Sequence, residues 1–192
     1  PASKNPFIIK DYETKMIYKL LIVPLILISP LLMLIRSILI MIILYFFGSL
    51  AYIANLGSNH PKPLSKTRLF FMRCIAKGQG YCLLLAQGLI LIKKNKYPQR
   101  PRVMVYKHTS FNDVSIACAA FPGAAISKHQ IAEFWPFRQS LTLSRALFVN
   151  RDGNVPEKLK HLVKRNVTQQ MQEFLEVQTI SPIVLCPEGT VP

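Results

Sequence analysis

Residues 103–150 read VMVYKHTSFNDVSIACAAFPGAAISKHQIAEFWPFRQSLTLSRALFVN, and their texture sets the expected architecture. Three short apolar runs, 103–106, 124–127 and 146–150, are bounded by turn residues and separated by stretches too long for hairpin loops. A fourth run of the same kind follows at 183–186. Before it, Val155, Leu159, Leu162, Val163, Val167, Met171, Phe174 and Leu175 recur at helical spacing. Asn154 with Glu157 predicts the start of that helix, and Pro156 suits its first turn. Short strands alternating with helices predict an α/β fold, with a mostly parallel sheet flanked by helices.

Each expected strand ends in a polar cluster: Lys107-His108, Lys128-His129, Asn150-Arg151-Asp152 and Glu188-Gly189-Thr190. Strand ends of a parallel sheet converge on one rim, where ligands of such folds bind. His108 and Asp113 stand in an H-x-x-x-x-D spacing, with His108 leaving a strand and Asp113 opening the next helix. A carboxylate that accepts the imidazole Nδ1 proton leaves Nε2 free to act as a base. By spacing alone, Asp113 also reads as a plain helix-opening carboxylate that complements the dipole.

Upstream, residues 20–54 form a long apolar segment broken by Pro24, Pro30 and Arg36-Ser37 and preceded by Lys15 and Lys19. It exceeds the ~7–15-residue core of a secretory signal and the ~20 residues of one untilted span. A charge at the bilayer centre is costly, so a turn at Arg36 is expected, making a membrane-embedded hairpin of helices 20–35 and 38–53. One tilted span over residues 38–54 is the alternative. Residues 55–66 carry Gly57, Ser58, Asn59, Pro61 and Pro63 and read as a linker. Residues 67–92 resume a helical pattern with Arg68, Arg73 and Lys77 on a basic side, suited to a membrane surface or to covering a sheet. Lys93, Lys94, Lys96, Arg100 and Arg102 follow, where anionic headgroups or plain solvent would meet them. The division expected is 1–57 as the embedded segment, 58–102 as linker and amphipathic helix, and 103–192 as the first part of an α/β domain whose C-terminal part is missing.

The 192 residues are 51% hydrophobic and 17% charged, apolar for a soluble domain, and carry a net charge of +15. Such a surplus seeks an anionic surface or a phosphate-bearing ligand. Neither a basic recognition helix nor a stacking motif for nucleic acid is present, which leaves the phospholipid membrane as the expected anionic partner. The four cysteines show no C-x-x-C pair and no zinc spacing, so they read as reduced packing residues. No metal site is expected.

His108-Thr109-Ser110-Phe111-Asn112-Asp113, then Phe148-Val149-Asn150-Arg151, then Pro187-Glu188-Gly189-Thr190 resemble three successive sequence blocks of the glycerolipid acyltransferase family. Lys128 ahead of Phe134-Trp135-Pro136-Phe137 is similar to the intervening segment, and Phe148-Val149-Asn150-Arg151-Asp152 is most similar to the lysophosphatidylcholine branch. The resemblance covers roughly residues 103–190. It implies a membrane-bound O-acyltransferase that moves a fatty acyl group from acyl-CoA to the hydroxyl of a lysophospholipid or glycerol phosphate. Acyl-CoA is then a co-substrate, with no resident cofactor. His108 would be the general base and Asp113 its orienter. Arg151 and Lys128 would hold the acceptor phosphate, while Glu188, Gly189 and Thr190 would position its polar head. In a eukaryotic cell the expected site is the endoplasmic reticulum or mitochondrial membrane.

The bland readings stay beside these. Arg151 and Lys128 fit surface cations, and Glu188-Gly189-Thr190 fits an ordinary turn. Gln139 stands where the family commonly has glycine. A catalytically idle relative serving a larger membrane complex is the alternative function. His60, His129 and His161 read as ordinary loop or surface residues.

Overall fold

A computed structural model describes residues 16–57, 64–92, 101–106, 110–150, 155–163, 166–177 and 182–186. The described chain is helix-rich, with an apolar N-terminal helix and a small parallel sheet. It divides into two compact units, Pro1–Ile38 and Leu39–Pro192.

The first element is a helix, α1, Met16–Asn55. The turn expected at Arg36-Ser37 is not formed: the backbone is helical through both residues, so the hairpin is replaced by one continuous helix. Neither residue breaks a helix locally. Arginine is a good helix former, and the Ser37 hydroxyl donates to the Met33 carbonyl one turn back at 2.8 Å. In the first unit, Ile26, Leu27, Leu31 and Met33 are all exposed.

The second unit holds everything from Leu39 onward. Helix α2, Lys66–Ala86, is capped by Ser65, whose side chain accepts from the Arg68 N–H at 3.3 Å. The apolar run 89–92 suggests that this helix continues, yet it stops at Ala86. Gly88 takes φ +79°, Leu89 N–H bonds Leu84 O at 2.8 Å and Gly88 N–H bonds Leu85 O at 2.9 Å, which is a Schellman end. Ala51 of α1, Leu69, Met72 and Ile75 of α2, and Leu143 of a later helix form one core cluster.

Four strands, β1 Val103–Val105, β2 Ala124–Lys128, β3 Leu147–Val149 and β4 Ile183–Leu185, fall on the four apolar runs. They make one parallel sheet in the order β1-β4-β2-β3. Helix α3, Phe111–Ala120, connects β1 to β2. Between β2 and β3 come a 3-10 turn, His129–Glu133, and helix α4, Trp135–Leu143, with Pro136 in its first turn.

The single helix expected between β3 and β4 is split. A 3-10 turn, Glu157–Leu162, comes first, then Val163 bridges to Phe148, and only then helix α5, Val167–Val177, begins. Its start is held by Asn166, whose Oδ1 accepts from Gln169 N–H at 3.1 Å. Val163 is β-branched and extended beside β3, a conformation it prefers to a helical one. Asn154 lies outside the described residues.

Alternation along the strands covers both faces of the sheet, as parallel sheets require. Ala124, Ile126 and Ile183 pack against Met171, Phe174 and Leu175 of α5. Ala125 and Val184 face the other way, toward α3, α2 and α4, around a cavity of about 80 Å³. The Arg102 guanidinium donates to the Leu175 carbonyl, tying the approach to β1 to α5.

Candidate functional site

The four parallel strands run toward one rim. Neighbouring strands lie ~4.8 Å apart, so the three steps from β1 to β3 spread the strand ends over roughly 14 Å.

At the β1 and β4 end of the rim, Tyr106 follows β1 and its N–H bonds Leu185 O at 3.1 Å. Asp113 sits in the first turn of α3. Its Oδ2 accepts from Ser110 N–H at 2.7 Å, and the Ser110 hydroxyl lies 3.3 Å from its Oδ1. Asp113 is therefore the helix-capping carboxylate that the local sequence also allows. Capping does not exhaust it, because a carboxylate offers about four acceptor sites. What it adds is a fixed orientation.

The Tyr106 phenol is pushed up to about 12, chiefly by burial, with smaller repulsion from Cys186, Cys118 and Asp113. It stays a neutral hydrogen-bond donor well beyond neutral pH. Its electrostatic link to Asp113 and Cys186 shows that the ends of β1 and β4 and the start of α3 share one neighbourhood. In the sequence, Tyr106 reads only as the last residue of a strand, since nothing in a lone tyrosine marks it.

At the other end, Lys128 closes β2 and is paired in register with Val149, the last residue of β3. It is half-buried, as a strand-end lysine with its stem against the sheet would be. His129 follows at once and corrects the expectation of a loop or surface residue. It is 2% exposed, and its Nδ1 has no hydrogen-bond partner among the described residues. His161 is exposed as expected.

Of the residues expected at the site, Asp113 and Lys128 are thus on the rim. His108, Arg151, Glu188, Gly189 and Thr190 lie outside the described residues. Gln139, the departure from the glycine pattern, lies in α4, and its carbonyl accepts from the Asn55 side chain at 3.1 Å. The backbone there is used to hold α1. Among the described residues, no three His, Cys, Asp or Glu side chains gather as metal ligands.

Under the rim, the apolar cavity between the sheet and helices α2, α3 and α4 is lined by Tyr106, Val114, Cys118 and Val184, among others. Burial pushes the Cys118 thiol up to about 11. Two units above an ordinary thiol means roughly 100-fold less thiolate, partly offset by the greater nucleophilicity of a more basic sulfur. Peptide mapping after iodoacetamide treatment at pH 8 is expected to find Cys118 modified about tenfold more slowly than an ordinary thiol. Early modification of Cys118 would mean that the cavity is open to solvent.

No protein-family model matches the chain, and neither a curated protein nor a solved structure matches it.

Proposed function

We propose that this protein is a membrane-bound acyltransferase that moves a fatty acyl group from acyl-CoA to the hydroxyl of a lysophospholipid or glycerol phosphate. The observation that carries this is the common rim: four parallel strands point toward one edge of the sheet, and each is followed in sequence by one of the polar clusters that resemble the glycerolipid acyltransferase blocks.

His108 Nε2 takes the proton of the acceptor hydroxyl as its oxygen attacks the thioester carbonyl. The C–S bond then breaks, and the imidazolium returns the proton to the departing thiolate. No protein nucleophile is needed. Asp113 holds the imidazole tautomer. Its suitability rests on its fixed position at the start of α3 and on the five-residue spacing that separates it from His108 in the sequence.

In this scheme Arg151, which follows β3 in the sequence, and Lys128 attract the acceptor phosphate, and Glu188, Gly189 and Thr190, which follow β4 in the sequence, position its polar head. Two helices long and apolar enough to cross a membrane, α1 over Ile26–Asn55 and α2 over Lys66–Ala86, support membrane embedding. In this reading the first of these anchors the protein, and the resemblance to the acyltransferase blocks lies within residues 103–192.

Arg151→Ala tests the assignment of the acceptor side. Its fork of donors serves only the acceptor phosphate in this scheme. The acceptor's apparent KM is expected to rise by an order of magnitude or more while that of acyl-CoA stays within about twofold. An equal rise for both substrates would assign Arg151 to structure instead.

A further inference from the structure

A second cavity, of about 90 Å³, opens at the opposite rim of the sheet, where the strands begin. Pro122 and Pro182 stand just before β2 and β4 there, with Met104 and Phe121 beside them, and Arg73 and Lys77 of α2 border it. Among the described residues, none that lines it is acidic. Prolines have no N–H to offer, so the two side-chain cations dominate what the cavity can present to a ligand. A compact anion with an apolar body fits that chemistry.

The surface of α2 shows where such a ligand comes from. Lys66, Arg73 and Lys77 recur at spacings that place them on one stripe of the helix. Phe70, Cys74, Tyr81 and Leu85 follow the same rhythm on the adjacent stripe, and all are exposed. The opposite face, with Leu69, Met72, Ile75 and Leu83, is buried in the domain. Helix α2 therefore has three faces: one in the core, one apolar and open, and a basic border between the open face and the cavity. An amphipathic helix lying in a bilayer interface has this pattern, with cations reaching the headgroups along its edge. The apolar surface continues past the helix end through Ile90 and Ile92, 80% and 76% exposed.

We infer that the cavity bordered by Arg73 and Lys77 binds the phosphate headgroup of an anionic phospholipid from the bilayer in which the open stripe of α2 rests. This site lies on the rim away from Asp113 and Lys128, so its lipid is neither acyl donor nor acceptor. The acyl chains of that lipid run along Phe70, Tyr81 and Leu85, and the headgroup phosphate sits between the two cations. Its charge matches the strong positive balance of the chain.

The test is native mass spectrometry of the full-length protein in dodecylmaltoside micelles, titrated with dioleoylphosphatidylglycerol or dioleoylphosphatidylcholine. Phosphatidylglycerol is expected to bind at least tenfold more tightly than phosphatidylcholine. The double variant Arg73→Gln/Lys77→Gln should weaken phosphatidylglycerol binding at least tenfold, while Lys66→Gln, which matches the single Lys77→Gln in charge and lies on the same helix but outside the cavity, should change it less than twofold. Lys77→Gln alone replaces an exposed side chain without disturbing the core, and at least a threefold loss is expected. Millimolar inorganic phosphate should leave the bound lipid in place. Unchanged affinity in Lys77→Gln, an equal loss in Lys66→Gln, or displacement by inorganic phosphate would each overturn the lipid site. Acyl transfer is not the readout, so these outcomes stand apart from the catalytic proposal.

Discussion

The His108→Ala variant is expected to lose about 10²–10⁴-fold in acyl transfer while keeping its fold and membrane attachment. A positioned base supplies that factor in general acid–base chemistry, and in the proposed scheme it activates the sole nucleophile, the acceptor hydroxyl. Nothing else proposed for the site replaces it. Asp113 is held at the start of α3 by the Ser110 N–H, Glu188 is assigned to the acceptor's polar head, and the Tyr106 phenol stays protonated well above neutral pH. Turnover should be followed with labelled acyl-CoA in membranes, beside a circular-dichroism spectrum that confirms the fold. Near-wild-type turnover in a folded His108→Ala protein would remove the base from the mechanism.

The largest structural effect is expected at Gly80. In an isolated helix, alanine is preferred to glycine by roughly 0.5–1 kcal/mol. Gly80, however, is where α2 meets α3: a Cβ built there would lie 2.6 Å from both the Ala119 nitrogen and the Ser115 oxygen. Those are backbone atoms of a packed helix and cannot swing aside, so the two helices must separate. Overpacking of this kind costs about 1–3 kcal/mol or more and outweighs the propensity gain. Gly80→Ala should therefore lower the melting temperature by several degrees, at about 2–4 °C per kcal/mol for a chain of this size. Gly78 is the internal comparison. Its added Cβ meets the ring of Phe47 at 2.8 Å, and a side chain can adjust, so Gly78→Ala should cost less. A thermal melt in which Gly80→Ala equals or exceeds wild type would show that α2 and α3 do not approach so closely.

The strands were legible because each is a short apolar run between turn residues, a signal that survives without knowledge of tertiary contacts. All four expected runs became strands. Parallel pairing was legible for the same reason, since the intervening stretches are too long for hairpins. Helix ends were less so. Gly88 carried the stop signal of α2, but the apolar residues 89–92 after it masked the stop. Between β3 and β4, the helical spacing of apolar residues concealed Val163, which breaks the helix by bridging to Phe148. At Arg36 the cost of a membrane-buried charge favoured a turn, whereas local helix propensity and the Ser37 bond favour continuation.

The site was legible where a motif marked it and opaque where burial alone did. Asp113 and Lys128 stand at strand or helix ends where the sequence expects them. His129 could not be found, because a lone histidine after a strand has no pattern until Ala132, Phe148 and Leu159 are seen to form a core cluster next to its 3-10 turn. Tyr106 was hidden in the same way. Asp113 shows why spacing is a weak guide on its own: capping α3 and orienting an imidazole both require a carboxylate at that position.

Acyl transfer itself is the most direct measurement. Membranes containing the full-length protein should be incubated with labelled acyl-CoA and a panel of lysophospholipids and glycerol phosphate, in parallel with Asp113→Asn, which keeps the helix-capping geometry but mis-sets the imidazole tautomer. The account predicts label transferred to at least one acceptor by the wild type, with a loss of about 10²-fold or more in Asp113→Asn. No transfer to any acceptor by the wild type would contradict it and favour an idle, structural relative. Equal transfer by both proteins would show that Asp113 only caps its helix.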